Sequence, residues 1–251
     1  MKRHVLSLAL LLFMAGGTGL IKAQKSQNYL YEVPSPLWEE SFGNHRAVLQ
    51  IEKPAQVVTL DFEWRRPDKD VDNKRFLIIH ATTGDTVRNI RRMEVNNEHC
   101  RLQFGPVEKE GTYYFYYLPY RVQTGYGFYG GGYLPKESTP DTTWLIQAQT
   151  TRRNPQATVV KVEARQAFDS FYPMEIASTA KEKENYINRN KAALYLFAED
   201  RRYPIRMRND LPTKWLTHKQ GELFQGEAAP NEYYTFQIGV WAAGNKTDRI
   251  G

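Results

Sequence analysis

Cysteine is nearly absent from this chain of 251 residues. Cys100 stands alone, so no intrachain disulfide can form and stability must come from an apolar core. Cys100 lies in His99-Cys-Arg-Leu-Gln-Phe104, where Cys100, Leu102 and Phe104 alternate with polar residues. That pattern reads as a small core hydrophobe and not as a nucleophile.

Long apolar runs are missing as well. Val5 to Met14, broken only by Ser7, falls far short of the ~20 residues that a membrane-spanning helix needs. It follows Lys2, Arg3 and His4 and precedes small residues, with Ile21-Lys22-Ala23 as a cleavage site. This is the layout of a secretory signal peptide over residues 1–23, with an uncleaved N-terminal anchor as the alternative. No cysteine marks the cleavage site, which argues against a lipid anchor. The expectation is an exported chain, secreted, periplasmic or at the cell surface, with no membrane span after cleavage.

A basic surface is lacking too. Residues 1–23 hold Lys2, Arg3 and Lys22 and no acid, so without them the formal charge of +6 becomes 31 basic residues against 28 acidic ones. The cations are interleaved with acids, as in Lys181-Glu-Lys-Glu184, and no stripe suited to nucleic acid forms.

The usual catalytic and metal patterns do not occur. His45, His80, His99 and His218 are widely separated, without the paired spacing of a zinc site. Asp68, Asp70 and Asp72 alternate like the start of a calcium loop. However, the sixth and twelfth positions hold Asn73 and Ile79 where Gly and Glu are needed, so a solvated acidic turn is expected. Gly125-Tyr-Gly-Phe-Tyr-Gly130 matches a dinucleotide fingerprint by letter, but no βα unit surrounds it. Glu39-Glu40 and Glu199-Asp200 are adjacent carboxylates, and neighbours on a strand point to opposite faces. Glu199 and Asp200 also abut Arg201 and Arg202, which reads as a structural ion-pair knot. No catalytic residue, metal or cofactor is expected.

What is present is a series of short strands. Val58, Leu60, Phe62 and Trp64 alternate with polar residues, Arg75–His80 is a more continuous apolar run, and Thr83-Gly84-Asp85 marks a tight turn. Cys100–Phe104, Tyr113–Leu118, Trp144–Thr150 and the alternating Val160, Val162 and Ala164 continue the pattern. Such spacing predicts an all-β fold, an antiparallel β-sandwich over residues 28–165. Residues 166–251 read as a connecting helix and strands. Thr179-Ala-Lys-Glu182 is a capping box for a helix to about Arg189, Ala193–Phe197 is a strand, and Tyr234, Phe236, Ile238 and Val240 face one way. These last strands either complete the first domain or begin a second β-sandwich-like region left incomplete at Gly251; the second is the expectation.

Ten of the twenty-one residues from Tyr113 to Tyr133 are aromatic, and five are glycine. The first half predicts a strand with either Tyr114, Tyr116 and Leu118 or Tyr113, Phe115 and Tyr117 against a core. The second half is too glycine-rich for a strand and predicts a mobile loop carrying Tyr120, Tyr126, Phe128, Tyr129 and Tyr133. Flat rings on a loop suit stacking against a sugar ring or packing against a neighbouring domain.

Several segments together resemble the N-terminal part of large secreted bacterial proteins related to glycoside hydrolase family 123. They are Gly43-Asn-His-Arg-Ala47, Trp64-Arg-Arg-Pro-Asp68, Gly111-Thr-Tyr-Tyr114 with Tyr116-Tyr-Leu-Pro119, and Phe171-Tyr-Pro-Met-Glu175. Glu199-Asp-Arg201, Pro204-Ile-Arg-Met207 and Glu232-Tyr-Tyr-Thr-Phe-Gln-Ile-Gly239 extend the likeness. The resemblance implies a β-sandwich before a catalytic (β/α)-barrel that carries the acidic pair, with that barrel and a glycan as partners. The leading expectation is therefore a non-catalytic region of a carbohydrate-active protein. A self-contained glycosidase or lyase and a protein-binding adhesion module are the alternatives.

Overall fold

A computed structural model describes residues 29–125, 128–217 and 223–243, the side chains of 121–130 excepted. The signal segment 1–23 lies outside the described residues. In chain order the strands are β1 (Leu30–Glu32), β2 (His45–Ile51), β3 (Val58–Phe62), β4 (Phe76–His80), β5 (Asn89–Val95), β6 (Cys100–Gly105) and β7 (Gly111–Tyr117). A hairpin of β8 (Tyr120–Gly125) and β9 (Phe128–Tyr133), helix α1 (Thr142–Thr150) and the long strand β10 (Gln156–Ala164) follow. Helix α2 (Ala180–Asn190) and a ribbon of β11 (Leu194–Asp200) and β12 (Phe236–Ala242) come last.

The fold is mostly β, but its main sheet is continuous and mixed where two antiparallel sheets were expected. The order is β4-β7-β2-β10-β3-β6-β5, with β1 beside β10. Strand β10 causes the difference. Gln156 and Ala157 run parallel to Thr59 and Leu60 of β3, and Thr158–Ala164 then run antiparallel to β2. The register shifts between Val159 and Lys161, and a bulge there bends the strand and raises its twist. One strand thus serves both halves of a sheet that curls around its own core.

That core follows from period-two alternation. Leu49 and Ile51, Leu60 and Phe62, Leu102 and Phe104, and Phe115 and Tyr117 all point inward. Burying such a side chain fully contributes ~1.5–3 kcal/mol, and Cys100 lies among them as expected. Strand β7 is covered on both faces: Tyr113, Phe115 and Tyr117 enter the main core, while Tyr116 packs with Trp38, Ile79 and Phe42. The alternative with Tyr113, Phe115 and Tyr117 toward the main core therefore holds; Tyr114 and Tyr116 face a smaller cluster, and Leu118, expected with them, joins the main core instead.

Trp144–Thr150, expected as a strand, is the helix α1. The Asp141 side chain caps it, accepting from Trp144 N at 3.0 Å, which satisfies one of the orphan donors of the first turn. Trp144 and Ala148, one turn apart, are then buried beside Val57. The indole Nε1 donates to Gln56 O at 2.7 Å. Gly105 is required beside this contact, because a Cβ there would come within 2.2 Å of Gln56 O.

A second core gathers Met174, Tyr186, Tyr195, Phe197, Leu211 and Trp215. Its helix α2 carries the expected capping box between Thr179 and Glu182. Phe236, Ile238 and Val240 do share one face of the ribbon, but that face is exposed. The other face is flat at Gly239, where the Trp215 ring lies so close that a Cβ would sit 2.1 Å from it. Trp215 in turn stacks on Phe197 with centroids 4.7 Å apart.

Candidate functional site

The second half of the aromatic run forms a β-hairpin and not the expected loop. Gly130–Gly132 pair with Gln123–Arg121 in the ladder, and backbone hydrogen bonding needs no side chains. The Tyr120–Tyr133 cross-strand pair closes the base of the hairpin, its rings edge-to-face at 5.2 Å, a geometry that stabilises antiparallel pairs. Below it three backbone bonds stitch the hairpin to the sheet: Leu134 N to Pro119 O at 3.0 Å, and Arg75 N to Leu134 O and Leu118 N to Arg75 O, each at 3.2 Å. The hairpin is thus aimed by the β4–β7 edge.

Tyr133 is fully committed. Its hydroxyl donates to Asp68 Oδ1 at 2.8 Å, and the Lys74 ammonium sits 3.5 Å above its ring. Burial, then the Asp68 charge, raise its hydroxyl pKa. Burial also pushes Asp68 upward, but the Arg66 guanidinium, 2.9 Å away, and the Tyr133 hydroxyl outweigh it and hold the carboxyl below its usual range. Lys74 is lowered by burial against the pull of Asp68 and Asp70. The two rings are similarly exposed, Tyr120 at 38% and Tyr133 at 41%, but Tyr120 differs in that, among the described residues, its hydroxyl has no partner. Tyr126 lies outside the described residues, as do the side chains of Phe128 and Tyr129. The register places Phe128 and Tyr129 on the distal part of β9, opposite Gly125 and Thr124.

The Arg65–Lys74 segment, which holds Asp68, Asp70 and Asp72 of the expected acidic turn, joins this hairpin to a second feature. Asn97 Nδ2 donates to Arg66 O at 2.7 Å and to Asp68 O at 2.5 Å. On the far side of Asn97 lies a cleft of about 860 Å³ between the β5–β6 hairpin and the first turns of α2. Arg65 spans it, with Nη2 2.6 Å from Glu63 and Nη1 2.9 Å from Glu182. His99 and Arg101, alternating with buried Cys100 and Leu102, form its floor, and both contact Asp61.

The carboxylates singled out as adjacent pairs do not converge. Glu199 is buried against Lys214 Nζ at 2.6 Å and Trp215 Nε1 at 3.1 Å. Asp200 turns the other way to Arg202 and to the Tyr234 hydroxyl, which, with Arg202, hold its pKa down. This is the expected ion-pair knot, except that Glu199 takes Lys214 in place of an arginine. Asp68 and Asp72 also part company, since Asp72 faces Arg92 and Lys136. Cys100 is held protonated well above its ordinary value, chiefly by burial.

One cluster escaped the sequence reading. Glu175, almost fully buried, lies 3.1 Å from His45 Nε2 and 3.9 Å from Arg66, while Asp169 Oδ1 accepts from Asn44 Nδ2 at 2.9 Å. Tyr172 stacks on Tyr31 at 4.4 Å. These contacts fasten the 169–175 segment to the curled sheet. The signal was present in Asn44-His45, Arg66 and Phe171–Glu175, but their long separation hid the pairing.

No curated protein and no solved structure is significantly similar to the chain. The family model described as glycoside hydrolase 123, N-terminal domain, matches residues 36–165, from just before β2 to the end of β10. That is more than half of the chain, and it takes in the curled sheet, the aromatic hairpin and α1. The chain therefore belongs to the glycoside hydrolase 123 N-terminal domain family, a non-catalytic part of family 123 proteins.

Proposed function

We propose that this chain acts as the glycan-contacting accessory region of an exported carbohydrate-active protein, beside a family 123 catalytic domain that performs the hydrolysis. The observation that carries this reading is the Tyr120–Tyr133 pair. Tyr133 is fixed by Asp68, Lys74 and the cross-strand contact, and so holds the exposed Tyr120 ring in one orientation. A pre-oriented ring loses little conformational entropy when a sugar stacks on it. Tyr126, Phe128 and Tyr129, further along the same hairpin, extend the contact in this reading. Export rests on the signal-peptide layout of residues 1–23.

A glycan microarray probed with the purified protein tests it. Retention on at least one polysaccharide, weakened at least tenfold by Tyr120→Ala, is expected. No retention on any glycan removes the binding role and leaves Tyr120 as a packing surface for the neighbouring catalytic domain.

A further inference from the structure

We propose that the cleft between the β5–β6 hairpin and helix α2 is a subsite for a neutral oligosaccharide. The choice of a sugar rests on the accessory-region reading above; the existence of a site rests on the cleft's own geometry. Its volume of about 860 Å³ lies within the ~300–1,000 Å³ of ligand sites. Every side chain that lines it ends in a polar or charged group, the His99 imidazole included, and only their carbon stems are apolar. An apolar occupant would strip water from these polar groups without replacing its hydrogen bonds, so the occupant must carry hydroxyls or amides of its own.

Charge narrows the class further. Arg65 pairs with Glu63 and Glu182 within the wall, and Arg101 lies 3.8 Å from Glu94. Four carboxylates, Glu63, Glu94, Glu98 and Glu182, face the cations Arg65, Arg101 and Lys181 in the lining, so an anionic ligand is disfavoured, whereas a hydroxyl can donate to one member of a pair and accept from the other. The walls are also pre-oriented. Glu182 accepts from Thr179 N at 2.9 Å as well as from Arg65, and Glu98 Oε1 accepts from Ala180 N at 2.7 Å, leaving its second oxygen toward solvent. Lys181 and Asn185 stand one turn apart on the same face of α2. Among the described residues neither side chain has a hydrogen-bond partner, so both offer free valences to the cleft.

The test is a titration of the full, isotope-labelled protein with xylohexaose, cellohexaose and chitohexaose, read by amide chemical shifts. Hexagalacturonate serves as the charged comparison. The expected result is movement of Asn96–His99 and Lys181–Asn185 with a neutral hexasaccharide, and at least tenfold weaker binding in the double variant Lys181→Ala/Asn185→Ala. Both positions are exposed, so the variant keeps its fold, which its own spectrum verifies. Movement confined to the Tyr120–Tyr133 hairpin overturns the cleft and leaves the accessory reading standing. Tighter binding of hexagalacturonate overturns the neutral class. No movement anywhere with these four sugars identifies the cleft as a solvated groove between the two cores.

Discussion

In the curled sheet, β2, β3, β6 and β7 each send alternate residues into a shared core, and β7 is covered on its other face as well by Trp38 and Phe42. In the β11–β12 ribbon the same alternation is present but only one face is covered. Tyr195, Phe197 and Trp241 pack against α2 and Trp215, while Leu196, Ile238 and Val240 are each more than half exposed. The sheet closes on itself through β10, which pairs with both of its halves. The ribbon has two strands, and a two-stranded unit needs another layer to hold it. Alternation therefore says which residues share a face, and only the neighbours decide which face is inside.

Substitutions can break or sharpen this contrast. The largest effect is expected in the sheet. Phe115→Ala removes a fully buried ring and should destabilise the protein by ~3–5 kcal/mol, read as a drop in the denaturant midpoint at unchanged slope. In the ribbon, Glu199→Gln weakens the buried contacts to Lys214 and Trp215 and should cost about 2 kcal/mol. Thr179→Ala removes half of the α2 capping box and should cost ~1 kcal/mol, concentrated in faster amide exchange over 180–186. Ile238→Thr and Val240→Thr, on the bare face, should change stability by less than ~0.5 kcal/mol. A loss comparable to that of Phe115→Ala would mean that this face is covered.

A pH test separates the hairpin anchor from both cores. The folded state holds Asp68 below its ordinary value, so the unfolded chain takes up the proton first as pH falls. The stability it contributes is fully present above about pH 4 and is lost as pH drops through the lower folded value. Asp68→Asn should lower the thermal midpoint at neutral pH and flatten its fall below about pH 4. An unchanged acid profile would show that the Asp68 carboxylate is not held by Arg66 and Tyr133 in the folded protein.

Much of the fold was legible because its signals are local. The alternation of Val58–Trp64, the capping box at Thr179 and the burial of Cys100 depend on neighbours in sequence. Helix α1 was misread because Thr142, Trp144 and Ile146 favour strands, and the Asp141 cap that overrides them is a single residue. The continuous sheet was hidden by one register shift in β10. At the site, the sequence located the aromatic run but neither its hairpin form, which glycine backbones pair without side chains, nor the division of labour within it. Tyr133 became an anchor only through Asp68 and Lys74, more than fifty residues away.

The central claim is that Tyr120, presented by the anchored hairpin, is the ring that meets glycan. Affinity electrophoresis through gels containing the polysaccharide best retained on the array tests it most directly, comparing the unmodified protein with Tyr120→Ala and Tyr133→Phe. The account predicts strong retardation of the unmodified protein, near-complete loss in Tyr120→Ala, and a partial loss in Tyr133→Phe, which keeps the ring but not the Asp68 bond. Equal retardation of all three proteins would contradict it.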